Sequence, residues 1–256
     1  AFFGENLQDL IKKRSNDLYG IINGIDYTVN DPKNDKRLYA NYDQKDLRGK
    51  YENKQKLQQE LGLELKADVP LVSLISRLVD QKGLDLVKHM LWELIDLGIQ
   101  FVVLGTGEKK YEDFFLYAQS QFPGKVSANI KYDGVLAQRI YAASDMYLMP
   151  SLYEPCGLSQ LFAMRYGAVP IVRETGGLKD TVRPYNVFTK EGTGFTFANY
   201  NAHEMKDAVA RAIEIYRNRD EWENLVKRCM NQDFSWQNSA KEYKNLYEEM
   251  LRRYNG

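Results

Sequence analysis

Through the middle of the chain, short apolar runs alternate with stretches in which apolar residues recur every three or four positions. The run over 69–75 is rich in β-branched side chains and predicts a strand. Leu84, Val87, Leu91, Leu94 and Ile95 follow at helical spacing and predict an amphipathic helix over 83–97, with Asp80 as its expected N-cap. A second run over 99–104 stops at Gly105, Thr106 and Gly107, and a helix is expected over 108–121. Further strands are expected over 126–131, Met146–Met149 and 169–172, with helices over 134–143 and 157–167. Strand and helix in strict alternation predict an α/β fold: a Rossmann-like parallel sheet with helices on both faces and right-handed crossovers.

The flanks have a different texture. Residues 1–66 are polar and irregular and read as a lead-in and linker. Leu7, Leu10 and Ile11 suggest a short amphipathic helix, Asp31 and Pro32 mark a turn, and 43–61 is a charged helical stretch with Leu57 and Leu61 on one face. The α/β domain is then expected over 67–218. Helices are expected near 203–217, 220–230 and 238–253, those within 219–256 forming a C-terminal group. The last carries Tyr243, Leu246, Tyr247 and Met250 as an apolar stripe, which serves either packing on the same domain or docking on a partner domain.

Composition narrows the classes of function. The 256 residues carry 35 Lys and Arg against 35 Asp and Glu, so the formal charge is zero. That balance argues against bulk binding to nucleic acid or to an anionic membrane. No stretch approaches the ~20 apolar residues of a membrane span. The opening residues show no basic segment followed by an apolar one, so no signal peptide is expected. Cys156 and Cys229 lie in unlike segments, which favours a reducing compartment and a cytoplasmic location over a disulfide framework. His89 and His203 lack metal-like partner spacing, and no metal is expected.

In an open parallel sheet, ligands bind beyond the carboxyl ends of the strands. The expected strand ends hold Ser76 and Arg77; Gly105, Thr106 and Gly107; Tyr132 and Asp133; residues 150–157; and residues 174–177. Arg77 and Lys82 flank the start of a helix, an arrangement suited to an anion such as a diphosphate. Tyr132 could stack on a flat base. Glu154 stands before a proline and is held extended, placed to accept bonds from sugar hydroxyls. Gly157 is expected to open a helix whose first turn, at Leu158 and Ser159, offers free N–H groups and a hydroxyl. Thr175, Gly176 and Gly177 form a turn in which paired glycines permit close approach of a ligand. Gly105 and Gly107 are half of a dinucleotide fingerprint, but Lys110 stands where the third glycine belongs, so an NAD-dependent oxidoreductase is the weaker alternative.

These residues together resemble a known family. Ser76, Arg77 and Leu78 with Gln81, Lys82 and Gly83, then Gly105 to Gly107, Tyr132, Asp133, Pro150, Ser151, the run Glu154 to Gln160, Ala163 to Gly167 and Thr175 to Thr181 resemble the bacterial glycogen/starch synthases. The resemblance runs over nearly the whole chain, with the motifs in order. It implies the C-terminal, donor-binding domain of a GT-B glycosyltransferase, with 67–218 binding the sugar nucleotide and an N-terminal domain lying outside these residues. The reaction it implies is transfer of glucose from ADP-glucose to the non-reducing 4-OH of an α-1,4-glucan, with retention, without metal or other cofactor, and with the fragment alone inactive. By the same resemblance Arg77 and Lys82 hold the diphosphate, Tyr132 stacks on adenine, Glu154 with the Cys156, Gly157 and Leu158 backbone orients the glucose, and Ser159 binds phosphate. Related retaining transferases often carry a second Glu eight positions after the first; Phe162 stands there, as an aromatic does in many bacterial glycogen synthases, which counts against two-carboxylate chemistry. Another GT-B enzyme using UDP-glucose and a non-catalytic nucleotide-binding module remain as alternatives.

Overall fold

The apolar runs become parallel strands: β1 (Leu71–Ile75), β2 (Gln100–Leu104), β3 (Val126–Asn129), β4 (Met146–Met149), β5 (Val169–Arg173) and β6 (Phe195–Phe197). Their order across the sheet is β3-β2-β1-β4-β5-β6. The helices are α1 (Gln8–Lys13), α2 (Arg48–Glu60), α3 (Leu84–Asp96), α4 (Lys109–Gln121), α5 (Gly134–Ala143), α6 (Ser159–Arg165), α7 (Gly176–Thr181), α8 (Ala202–Tyr216), α9 (Arg219–Met230) and α10 (Trp236–Asn255). The computed structural model describes residues 6–255. It divides into a larger compact unit, Tyr27–Gln232, and a smaller one made from the two ends of the chain.

The parallel α/β class expected from the alternation is the one found. Strand interiors are buried on both faces, as continuous apolar runs require. In the larger unit, α3, α4 and α8 pack together, as do α2, α5, α6 and α9. The unit includes α2, read from the sequence as part of the lead-in, and α9, read as one of the C-terminal helices. Leu57 of α2 joins Leu71, Val102, Leu136 and Ile140 in one buried cluster, which makes that charged helix a wall of the core.

Two lysines of α2 explain how a polar helix is held there. Lys50 Nζ donates to the carbonyls of Ala142, Ser144 and Tyr166 at 3.0, 2.8 and 3.0 Å, at the carboxyl ends of α5 and α6. Those carbonyls have no partner within their helices, and the helix ends are negative. Lys54 Nζ pairs with Asp145 Oδ2 at 2.7 Å, and the same oxygen accepts from the backbone N–H of Leu71 at 2.8 Å. The starts of β1 and β4 are thereby joined.

Several local expectations change. Asp80 does not cap α3. It opens a short 3-10 turn, Asp80–Lys82, and its carboxylate is taken by Lys110 Nζ at 2.6 Å and the Tyr111 hydroxyl at 2.5 Å. α3 begins after Gly83, whose φ of 71° is left-handed. α6 begins at Ser159 rather than 157, because Gly157 also has a left-handed φ of 72°. β3 ends at Asn129, leaving Tyr132 in a loop. Neither β6 nor α7 was expected: β6 has three residues, and α7 opens on two glycines, poor helix formers.

In the smaller unit, Ile25 N donates to Phe234 O at 2.8 Å and the Ser239 hydroxyl donates to Ile22 O at 2.8 Å. Tyr243, Tyr247 and Met250 of α10 stand exposed. No helix among the described residues is long and apolar enough to cross a membrane.

Candidate active site

The strand order reverses between β1 and β4, which lie side by side with Val72 opposite Met146 and Ser73 opposite Tyr147. The chain leaves β1 toward one edge of the sheet and β4 toward the other, so the loops that follow them part and open a crevice. Arg77 and Lys82 lie in the first loop and Glu154 in the second. Residues 72 to 77 positions apart in sequence are thus brought together by the topology alone.

Lys82 Nζ donates to Glu154 Oε2 at 2.6 Å, with the two side chains 16% and 11% exposed. The Ser151 hydroxyl reaches the same oxygen at 3.3 Å. Arg77 is exposed and has no ion-pair partner among the described residues. Arg77, Lys82, Ser76, Ser151 and Ser159 line a cavity of about 190 Å³. This is a small space with two cations and three serine hydroxyls, suited to an anionic group.

The two loops are fixed to each other. Gly83 allows the first to press on the second: a Cβ there would lie 2.1 Å from the Pro150 carbonyl oxygen. Leu152 N donates to Gln81 O at 2.9 Å, and Gln81 Nε2 donates to Tyr153 O at 3.0 Å. From the end of β5, Arg173 Nε donates to Ser151 O at 2.9 Å and its Nη2 donates to Leu152 O. Burial lowers the Arg173 guanidinium below its ordinary value, and the two carbonyls offset part of the cost of burying it.

A second cavity of about 480 Å³ adjoins the first and shares Ser76, Arg77 and Ser159 with it. Tyr132 and Thr106 line it from the loops after β3 and β2, and Phe162 lines it from α6. Tyr132 is 96% exposed, leaving its ring free to meet a planar ligand. Asp133 caps α5, accepting from Val135 N at 3.1 Å and Leu136 N at 2.9 Å. The bond from Leu136 and the Lys131 ammonium hold its carboxyl below the usual range. Arg37 reaches the same cavity from the segment before α2, tied to Asp35 at 2.7 Å. Burial alone would raise the Asp35 carboxyl, but hydrogen bonds from Arg37 and Tyr166 bring it below its ordinary value.

Of the residues singled out from sequence, Arg77, Lys82, Glu154, Tyr132 and Ser159 converge here. The Cys156, Gly157 and Leu158 backbone connects Glu154 to α6, and Gln160 Nε2 donates to the Cys156 and Gly157 carbonyls at 3.1 and 3.0 Å. Thr175, Gly176 and Gly177 line neither cavity. The close approach permitted by the paired glycines is to the Glu154 turn: Gly177 N donates to Glu154 O at 3.1 Å, and a Cβ on Gly177 would lie 2.1 Å from Cys156 O. The loop at Gly105 to Gly107 is likewise stitched to the β1 loop, Leu78 N donating to Thr106 O at 2.9 Å. Sequence reasoning named Gln81 and Ser151 only as motif residues without a role, and missed Arg173. Only Arg173, a charge closing an apolar strand, left a signal.

His89 and His203 meet edge-on with ring centroids 6.2 Å apart. Both cysteines are free, and burial pushes the Cys229 thiol up to about 12.

Residues 54–228 match the family described as "Glycosyl transferases group 1". The chain belongs to the group 1 glycosyltransferases. Similar members include a glycogen synthase of Clostridioides difficile, 53% identical over 250 residues, and one of Pseudothermotoga lettingae, 51% identical over 252. Each match covers 98% of this chain and 52% of the relative, so the chain spans about half the length of the curated relatives it matches. Among solved structures, the catalytic domain of starch synthase IV from Arabidopsis thaliana, bound to ADP and acarbose, superposes with a TM-score of 0.89 at 40% identity, over 97% of this chain and 52% of that one. Sucrose-phosphate synthase from Thermosynechococcus elongatus shares the fold, with a TM-score of 0.59 at 21% identity over 77% of this chain and 49% of that one. The six-stranded sheet is therefore the Rossmann-like domain of a GT-B glycosyltransferase, and the oxidoreductase alternative falls.

Proposed function

We propose that this chain is the donor-binding part of a glycogen/starch synthase that transfers glucose from ADP-glucose to the non-reducing 4-OH of an α-1,4-glucan with retention. The observation that carries this reading is the pairing of Lys82 with Glu154 at the reversal of strand order, where Lys82 and Arg77 line a cavity that adjoins one rimmed by Tyr132. The likeness to glycogen synthases, and to a starch synthase solved with ADP and acarbose, supports it.

In this reading adenine stacks on Tyr132 and the diphosphate lies against Arg77, Lys82 and the Ser159 hydroxyl. The glucose faces Glu154, whose turn is backed by Thr175, Gly176 and Gly177. When the bond from glucose C1 to the phosphate oxygen breaks, negative charge grows on the leaving ADP, and the two fixed cations stabilise it. The acceptor 4-OH oxygen bonds to C1 on the same face, and its proton passes to the departing phosphate. Phe162 in the cavity wall supplies no second carboxylate. Arg77 and Lys82 do the charge neutralisation that a divalent cation performs elsewhere. The acceptor-facing wall comes from residues outside this chain.

The test is glucose transfer to a maltooligosaccharide by the full-length protein, with labelled ADP-glucose and UDP-glucose in parallel and with a chelator present. ADP-glucose is expected to be the better donor by about tenfold or more in kcat/KM, with the rate unchanged by the chelator. Preference for UDP-glucose, loss of rate on chelation, or no transfer at all contradicts the reading.

A further inference from the structure

We infer that Gln138 reads the edge of the nucleotide base and is a specificity-determining residue for the donor; the inference rests on the proposed ADP-glucose site. Gly134, Ala137, Gln138 and Tyr141 stand at helical spacing on one face of α5, and all line the larger cavity. Gln138 is only 8% exposed. Its carboxamide oxygen is sealed from solvent and accepts no hydrogen bond, and its amide nitrogen donates none to the described residues. Buried carboxamides are ordinarily paired, so this one has a bonding capacity that the protein does not use.

The surroundings indicate what would use it. Ile75 and Phe162 in the same cavity are apolar, and Tyr132 stands at its rim with a free ring. Arg37, Lys131 and Asp133 also line it, but Arg37 is paired with Asp35 and Lys131 with Asp133, so the stacking aromatic and the unpaired carboxamide are left to meet a planar heterocycle bearing a hydrogen-bond donor. The sealed carboxamide oxygen, once turned to the cavity, accepts one hydrogen bond from a donor such as the adenine amino group. Rotation about the last side-chain torsion, which is broad for a carboxamide, presents either end. Arg77 and Ser159 bind the phosphates where the two cavities meet, which directs the base along α5 toward Tyr132 and Gln138.

The experiment is calorimetric titration of full-length wild-type protein and Gln138→Met with ADP, with purine riboside 5′-diphosphate, which lacks the amino group, and with 2′-deoxy-ADP. The wild type is expected to bind the amino-free analogue on the order of tenfold more weakly than ADP. Gln138→Met is expected to bind ADP and that analogue within about twofold of each other, while both proteins show the same penalty for 2′-deoxy-ADP. Gln138→Leu gives the same comparison if the methionine variant folds poorly. Undiminished base discrimination in the variants overturns the inference, as does selective loss of the 2′-deoxy penalty, which would put Gln138 on the ribose. Failure of the wild type to bind ADP overturns the proposed function itself, a separate outcome.

Discussion

Lys82 is paired within the protein: its ammonium lies 2.6 Å from Glu154 in a mostly buried position. Leaving either charge alone there would cost several kcal/mol, so each compensates the other. In the proposed reading, a diphosphate competes for the lysine and in doing so releases Glu154 to meet the sugar. Glu154→Gln therefore has an expected split effect: ADP binds several-fold more tightly, because Lys82 is freed, while kcat falls on the order of 100-fold, because the sugar loses its charged partner. Calorimetry with ADP beside steady-state rates checks this, and weaker ADP binding in the variant refutes the competition. At this scale the sequence was legible where a charge stands in the loop after a strand, as at Arg77 and Glu154. The roles of Gln81 and Ser151 were not legible, since uncharged polar residues acquire their roles only from what folds against them.

At the scale of elements, α2 shows how a polar helix belongs to a core. Its charged pattern reads as a solvated linker, yet Lys50 and Lys54 are both buried, because the carboxyl ends of α5 and α6 and the Asp145 carboxylate need cations from outside the sheet. Those acceptors lie 91 to 116 residues further along the chain, beyond the reach of any periodicity. β6 and α7 escaped notice for a different reason: three residues and a Gly-Gly start carry too little pattern. A pH dependence follows from α2. Burial, partly opposed by Asp145, pushes the Lys50 ammonium down from 10.5 to about 7. Between those values the folded protein binds fewer protons than the unfolded chain, so stability rises with pH there, by at most ~1.4 kcal/mol per pH unit. Denaturant unfolding from pH 7 to 9 is expected to show this rise in the wild type and to lack it in Lys50→Met. Equal slopes in the two proteins would contradict the assignment.

For the larger unit as a whole, function follows from the reversal of strand order. The alternating pattern was enough to predict the parallel sheet and to name the edge at which ligands are expected, because both depend only on βαβ chirality and strand polarity. It could not reveal that the loops after β1 and β4 would be adjacent, since strand order is set by packing between distant elements. That adjacency turns two cations and a carboxylate into one site. The most direct test is the affinity of the full-length protein for ADP at low salt, by calorimetry, for wild type, Arg77→Ala and Lys82→Ala. Each substitution is expected to weaken binding by about thirtyfold or more, as loss of a charge-assisted contact to phosphate implies. Affinities within about threefold of wild type in both variants would mean that the diphosphate does not lie between Arg77 and Lys82, and the account would fail.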